Sequence, residues 1–186
     1  MGSRIACHFA NIGVEVLLLD RATADSAEAD TGDTATVIQK AARNLIVNKA
    51  LEAAVKGSPS PVYSKKVLNR ITTGNFEDDM KQIGSCDWVL EAVVENLENK
   101  KQIFDQVEMF RKAGTLITSN TSGIPIHLMS EGRSDDFREH FCGTHFFNPP
   151  RYLRLLGIIP TPSTSRGGVD FLLDYGVRYL GNTSAL

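Results

Sequence analysis

Along almost all of this 186-residue chain, segments with the hydrophobic pattern of buried strands alternate with segments with the pattern of amphipathic helices. The run VEVLLLD at 14–20 is apolar enough to predict a strand buried on both faces, as in a parallel sheet. Strands are predicted at 14–20, 71–75, 86–95, 115–119, 141–147 and 152–160, with a last one beginning near 182. Helices are predicted at 3–12, 34–55, 96–114 and 168–181. This alternation predicts an α/β fold with helices on both faces of one doubly wound, mostly parallel sheet.

The chain opens with MGSRIACHFANIGVEVLLLD, a helix followed by a strand, with no strand ahead of the helix. In a dinucleotide-binding unit such a helix follows a first strand, so we expect the sheet to lack its first strand. Gly2 stands at the head of the helix, where a pyrophosphate can approach backbone N–H groups. A full G-x-G-x-x-G loop has three glycines, and at most the last of them is present here.

Polar residues follow the predicted strands at the edge where sheets of this kind bind ligands. They are Asp20, Glu95 with Lys100 five residues later, the run 119–122, His145 and Asn148. Asp20 alone is equally well a turn residue, and a histidine within an apolar run is more often a core residue. Because an aspartate, a glutamate, a histidine and a Ser-Asn-Thr-Ser run collect at a single edge, a binding site is favoured over random capping.

Composition and charge narrow the classes of function. With a net charge of −2, the chain has no basic surplus for nucleic acid and no polybasic run for an anionic membrane. No apolar run is long enough to cross a bilayer. Cys7, Cys86 and Cys142 form no C-x-x-C pair, so we expect reduced thiols and a cytoplasmic protein. The four histidines lack metal-ligand spacing, so no metal site is expected.

Four segments carry a resemblance to a known family: MGSRIACHFANIGVEVLLLD, DWVLEAVVENLENKKQIF, LITSNTSGIPI and GTHFFNPP. Together they resemble the NAD-binding domain of L-3-hydroxyacyl-CoA dehydrogenases, and residues 1–186 are interpreted as one such domain. The segment VYSKKVLNRITTGNF is similar to the dehydrogenase part of bacterial proteins fused to an enoyl-CoA hydratase. The resemblance implies a Rossmann-type sheet, NAD as cofactor, and oxidation of L-3-hydroxyacyl-CoA to 3-oxoacyl-CoA in fatty-acid β-oxidation.

The resemblance also implies a role, by position, for each site residue. Those that would contact NAD are Met1, Gly2, Asp20, Glu95, Lys100, Ser122 and Asn148. Met1 and Gly2 would end the phosphate loop, and Asp20 would bind the adenosine ribose and disfavour the 2′-phosphate of NADP. Asn120 and Ser122 would lie beside the nicotinamide and the C3 oxygen of the substrate. His145 would be the general base for the substrate hydroxyl while hydride leaves C3 for NAD.

One departure from the family concerns the orientation of His145. Family members carry a glutamate twelve residues after this histidine, and the corresponding residue here is Gly157. A carboxylate there would fix the imidazole tautomer and stabilise the imidazolium, as the aspartate of a Ser-His-Asp triad does. Since glycine does neither, we expect little or no dehydrogenase activity from this chain as written.

A second departure concerns length. The family carries a helical C-terminal domain that dimerises, closes over the acyl group and supplies a further active-site asparagine, and it is absent from these 186 residues. We therefore expect a fragment of low stability that associates through its open sheet edge.

Two alternative functions remain. One is a non-catalytic, nucleotide-binding relative of the same fold, and the other is another hydroxyacid dehydrogenase, against which SNTS and HFFNPP argue.

Overall fold

A computed structural model describes residues 1–23 and 39–186. The strands are β1 (Val16–Asp20), β2 (Ile71–Asn75), β3 (Trp88–Glu91), β4 (Leu116–Ser119), β5 (Phe141–Phe146), β6 (Leu155–Pro160) and β7 (Thr183–Ala185). The α-helices are α1 (Gly2–Asn11), α2 (Leu45–Lys56), α3 (Phe76–Asp79), α4 (Leu97–Phe110), α5 (His127–Ser130), α6 (Asp135–Glu139) and α7 (Arg166–Arg178). Short 3-10 helices span Lys65–Arg70 and Met80–Ser85. Within the two described ranges, no helix is long and apolar enough to cross a bilayer.

Most predicted elements are confirmed to within a few residues, but the strand predicted at 86–95 is too long. Strand β3 ends at Glu91, because the Glu91 carboxylate accepts a hydrogen bond from the Val93 N–H at 2.6 Å and the chain turns there. The start of the helix predicted at 34–55 lies outside the described residues, and its later part is confirmed as α2.

The helix predicted at 96–114, which corresponds to α4, is also too long at its carboxyl end. The helix ends at Phe110, and the backbone of Arg111 is already extended. Just after this end of the helix, the Arg111 guanidinium pairs with Asp136 at 2.5 Å. Gly114 takes a positive φ of 77° in the turn into β4, where its N–H donates to Asp136 at 3.2 Å.

The strands form two sheets. Strands β1 and β2 pair in parallel from Val16 opposite Ile71 to Asp20 opposite Asn75. The other sheet has the order β3-β4-β5-β6-β7, and all its neighbours are parallel except β5 and β6, which are antiparallel. The carboxyl ends of β3, β4 and β5 therefore meet at one edge, as a mostly parallel sheet requires.

A cavity of about 670 Å³ separates β1 from β3. Its walls are mostly apolar and include Val16 and Leu18 of β1, Trp88 and Leu90 of β3, and Phe9 of α1. One strand in this cavity would join the two sheets in the strand order of doubly wound dinucleotide-binding folds. The expected fold class is therefore confirmed: the sheet is parallel-dominated, and no strand of the described residues fills its first position.

Helices pack on both faces of the larger sheet and build two apolar clusters. In the cluster under α1 and α7, the rings of Phe9 and Trp88 meet edge to face with centroids 5.1 Å apart. In the cluster under α4 and α6, Phe141 lies 5.3 Å from both Phe104 and Phe137. These layers hold β3, β4 and β5 in place, and with them the residues at their carboxyl ends.

We expect this chain to self-associate, because the facing edges of β1 and β3 leave backbone N–H and C=O groups without strand partners. Sedimentation velocity over rising protein concentration should show an increasing average mass. A single monomeric species at every concentration, together with a cooperative melt of high midpoint, would contradict this expectation.

Candidate functional site

A buried ion pair joins β3 to α4 at the carboxyl edge of the sheet. Lys100 Nζ lies 2.8 Å from Glu91 Oε1, and the two side chains are 0% and 1% exposed. The Ser119 hydroxyl donates to Glu91 Oε2 at 2.5 Å, and the Val93 N–H donates to Oε1. These hydrogen bonds compensate in part for the water that both charges lose on burial. The pair thereby fixes the ends of β3 and β4 against α4.

Glu95 connects the start of α4 to the loop that follows β4. Its Oε1 atom accepts hydrogen bonds from the Thr121 hydroxyl at 2.5 Å and from the N–H groups of Ser122 at 3.0 Å and Gly123 at 2.9 Å. Its Oε2 atom lies 3.4 Å from Lys100 Nζ. Desolvation raises the pKa of Glu95, but the hydrogen bonds and the Lys100 charge outweigh it and lower this pKa to about 2. The carboxylate is therefore ionised at neutral pH, the form that accepts all these hydrogen bonds.

Asn120 and Ser122 lie on the same loop but are held differently. Asn120 Oδ1 accepts a hydrogen bond from the Phe146 N–H at 2.8 Å, which clamps the end of β4 to the end of β5. The carboxamide oxygen is thus engaged, and the NH₂ group is the part of Asn120 that could donate to a ligand. Ser122 is exposed, while its backbone N–H is held by Glu95. Its hydroxyl is therefore accessible to a ligand on a loop that is itself anchored.

His145 lies on β5 beside this loop. Its Nδ1 atom is 3.0 Å from the carbonyl oxygen of Thr121, and its ring packs at 82° against Phe147 with centroids 4.8 Å apart. Gly157 of β6 pairs with His145 in antiparallel register, and a Cβ at position 157 would lie 3.5 Å from His145 Cβ. Position 157 therefore faces the histidine, but glycine brings no carboxylate to it.

The other predicted residues lie at separate points of the sheet. Asp20 ends β1, where its Oδ1 atom accepts the next backbone N–H at 2.8 Å. Gly2 begins α1, and a Cβ on Gly2 would be 3.7 Å from that of Ala92, just after β3. Met1 gives the helix no side-chain cap, and Asn148 is exposed after β5.

Direct contacts thus connect Glu95 with Lys100, the loop 121–123 and, through that loop, His145. Within residues 1–23 and 39–186, no hydrogen bond or ion pair joins Asp20 or Asn148 to this group. The geometry therefore builds one connected cluster from the ends of β3, β4 and β5, with separate polar points along the rest of the sheet.

A comparison with protein families identifies the family of the chain. The family model described as 3-hydroxyacyl-CoA dehydrogenase, NAD binding domain, matches residues 1–183. The chain belongs to this family. The resemblance drawn from the sequence motifs is confirmed, and NAD is the cofactor of this domain.

Individual relatives of this 3-hydroxyacyl-CoA dehydrogenase domain are longer proteins. A "Probable 3-hydroxyacyl-CoA dehydrogenase" of Bacillus subtilis is 46% identical over 97% of this chain and 23% of its own length. A Rickettsia felis protein named for a fatty acid oxidation complex trifunctional enzyme is 38% identical over 98% of this chain and 24% of its own length. The chain therefore spans about a quarter of these two relatives.

A solved structure supports the same fold. The crystal structure of 3-hydroxybutyryl-CoA dehydrogenase from Escherichia coli superposes with a TM-score of 0.70 at 25% identity, over 99% of this chain and 35% of that one. The parallel-dominated sheet and its helical layers are thus those of this dehydrogenase family.

The residues present fit part of an NAD molecule. The Asp20 carboxylate has oxygen acceptors at the end of β1, the place where ribose hydroxyls are bound in such sheets. The start of α1 has no side-chain cap, so its first N–H groups can face a pyrophosphate. Gly2 and Ala92, which meet there, are both small and leave that backbone accessible.

Sequence reasoning missed Glu91 and gave no role to Ser119 or Thr121 within the run 119–122, although these three residues connect the predicted residues to one another. The signal for Glu91 was present, because a glutamate inside the apolar run WVLEAVV needs a buried partner. No sequence signal predicts the contact between Thr121 and His145, because Thr121 contributes its carbonyl oxygen and every residue has one.

Proposed function

We propose that this NAD-binding domain serves an enzyme that oxidises L-3-hydroxyacyl-CoA to 3-oxoacyl-CoA in fatty-acid β-oxidation. The observation that carries the proposal is the direct contact between His145 and the loop after β4, which also presents Asn120 and Ser122. A base, a hydroxyl and an amide donor close to one another are what removal of a hydroxyl proton and stabilisation of the resulting carbonyl oxygen require.

His145, Ser122 and Asn120 would each have a separate role in this oxidation. The hydrogen of the substrate's C3 hydroxyl leaves as a proton and is taken by the ring nitrogen of His145 that faces away from Thr121. Ser122 and the NH₂ group of Asn120 donate hydrogen bonds to the C3 oxygen as it becomes a carbonyl. Bound NAD supplies the acceptor for the hydride from C3.

The remaining residues would bind and orient the cofactor. Asp20 accepts hydrogen bonds from the adenosine ribose and repels a 2′-phosphate, while Met1 and Gly2 bring the N-terminus of α1 to the pyrophosphate. Asn148 contacts the cofactor from the end of β5. Glu95 anchors the loop at the nicotinamide side, and Lys100 acts there through Glu95 and Glu91, because its own ammonium is buried.

We also propose that residues 1–186 form a single, incomplete NAD-binding domain of a cytoplasmic protein. Its dimerisation and the closure over an acyl-CoA substrate would depend on a helical C-terminal domain supplied by a longer polypeptide. A non-catalytic, nucleotide-binding relative is a second candidate, and it is favoured by Gly157, which leaves His145 without a carboxylate partner.

Calorimetric titration with NAD tests the proposal. The chain should bind NAD more tightly than NADP, and Asp20→Ser should weaken NAD binding about tenfold or more, the effect of losing a charge-assisted hydrogen bond of about 1.5–3 kcal/mol. The exposed Glu15, just before β1, provides the matched control, because Glu15→Ser should leave the affinity unchanged.

Turnover of acetoacetyl-CoA with NADH then separates the two candidates. If the protein binds NAD and turns over acetoacetyl-CoA, the dehydrogenase is supported. If it binds NAD without turnover, even in a longer polypeptide that carries this domain and in the Gly157→Glu variant of that polypeptide, the non-catalytic relative is supported. Equal effects of the Asp20 and Glu15 substitutions on NAD affinity would contradict the assignment of the ribose site.

A further inference from the structure

The bond between His145 and Thr121 fixes which ring nitrogen carries the proton. The acceptor is the Thr121 carbonyl oxygen, 3.0 Å from Nδ1, and a carbonyl oxygen has no hydrogen to donate. The bond therefore exists only when Nδ1 is the donor. A neutral imidazole has a single N–H, so Nε2 keeps its lone pair and is the basic atom.

The position of that carbonyl depends on Glu95. Thr121 is only 4% exposed, and its hydroxyl donates to Glu95 Oε1 while accepting the Ile124 N–H at 3.2 Å. The next N–H groups, of Ser122 and Gly123, also donate to Oε1 of Glu95. One carboxylate oxygen thus holds three consecutive residues of the loop, beginning with the residue whose carbonyl meets the imidazole.

Position 157 gives His145 no comparable restraint. Gly157 is its antiparallel partner and has no side chain that could accept a proton from the ring. The backbone carbonyl of Thr121 is therefore the acceptor that orients the imidazole in this chain.

We propose that Glu95 is a positioning residue for His145: it holds the loop 121–123 so that the Thr121 carbonyl selects the Nδ1–H tautomer and leaves Nε2 free as the base. The catalytic meaning of this tautomer rests on the proposed function. The tautomer itself needs neither substrate nor cofactor, so it can be measured on the chain alone. The low pKa of Glu95, about 2, means that the anchor stays charged across the neutral range.

Nitrogen-15 spectra of the histidine rings test the proposal, because the two nitrogens of a neutral imidazole have different chemical shifts in each tautomer. The chain should show His145 as Nδ1–H. Glu95→Ala should convert a major fraction of His145 to the Nε2–H form, because the loop loses its acceptor. Glu95→Gln, whose side-chain oxygen can accept the same hydrogen bonds, should restore the Nδ1–H form.

Two controls accompany this experiment. Glu98→Ala removes an exposed glutamate from the first turn of α4, three residues after Glu95, and should leave the His145 tautomer unchanged. His140 serves as an internal reference, because its Nδ1 also meets a carbonyl oxygen, that of Asp136 at 2.7 Å, outside the loop held by Glu95. Its Nδ1–H signal should persist in every folded variant.

If Glu95→Ala loses the His140 signal and so does not fold, the His145 tautomer is measured in Thr121→Val instead. This substitution keeps the carbonyl and the β-branched shape but removes the hydroxyl that binds Glu95, so it should also raise the Nε2–H fraction. A His145 that is Nε2–H in the unaltered chain, or a tautomer that neither Glu95→Ala nor Thr121→Val changes, would overturn the proposal. A correct tautomer in a protein with no dehydrogenase activity would instead count against the proposed function alone.

Discussion

Replacing Lys100 with methionine is expected to lower the free energy of unfolding by about 3–5 kcal/mol, because it leaves the buried Glu91 carboxylate without its counter-charge. Lys100 and Glu91 are 0% and 1% exposed, so solvent cannot replace the lost partner. Urea denaturation followed by circular dichroism measures the change in the free energy of unfolding.

Two further variants make this prediction specific. Lys56 also pairs with a glutamate, Glu52, but on the surface, so Lys56→Met should produce no measurable change. The double variant Glu91→Leu with Lys100→Met should recover part of the lost stability, because no uncompensated charge remains. The recovery should be incomplete, since the Ser119 hydroxyl and the Val93 N–H lose their acceptor. Equal losses from Lys100→Met and Lys56→Met would contradict the assignment of a buried pair.

Replacing Gly157 with glutamate should raise the turnover of acetoacetyl-CoA with NADH by as much as about 10⁴-fold in a longer polypeptide that carries this domain. The added carboxylate stabilises the imidazolium that forms when His145 takes a proton, which the neutral Thr121 carbonyl does less well. The backbone accommodates a side chain here, because a Cβ at position 157 meets His145 Cβ at an ordinary 3.5 Å. Affinity for NAD should not change.

The Gly157→Gln variant separates charge from orientation. Glutamine is nearly the same size and can accept a hydrogen bond but carries no charge, so its gain should be much smaller than that of glutamate. Equal gains would show that orientation alone is limiting. No gain from glutamate would show that Gly157 is not what restricts turnover.

The sequence by itself determined the fold class and predicted the edge of the sheet at which the candidate site residues lie. Periodic apolar runs predict strands and helices, and their alternation predicts a parallel-dominated sheet, because local patterns decide which faces are buried. The motifs SNTS and HFFNPP carried the resemblance to the family, which the family model over residues 1–183 confirms. Errors arose where a side chain ends an element, as Glu91 does for β3.

Only the tertiary structure decided which of those polar residues act together. Ser119 contacts Glu91, 28 residues away in the sequence, and His145 contacts Thr121, 24 residues away. Local sequence patterns do not predict contacts at such separations. The Thr121 carbonyl in particular is a backbone group, so the residue type does not predict its contact with His145. Residue identity determined which chemistry is available at the edge of the sheet, whereas the packing of β3, β4, β5 and α4 decided that Glu95 holds the loop and the loop holds His145.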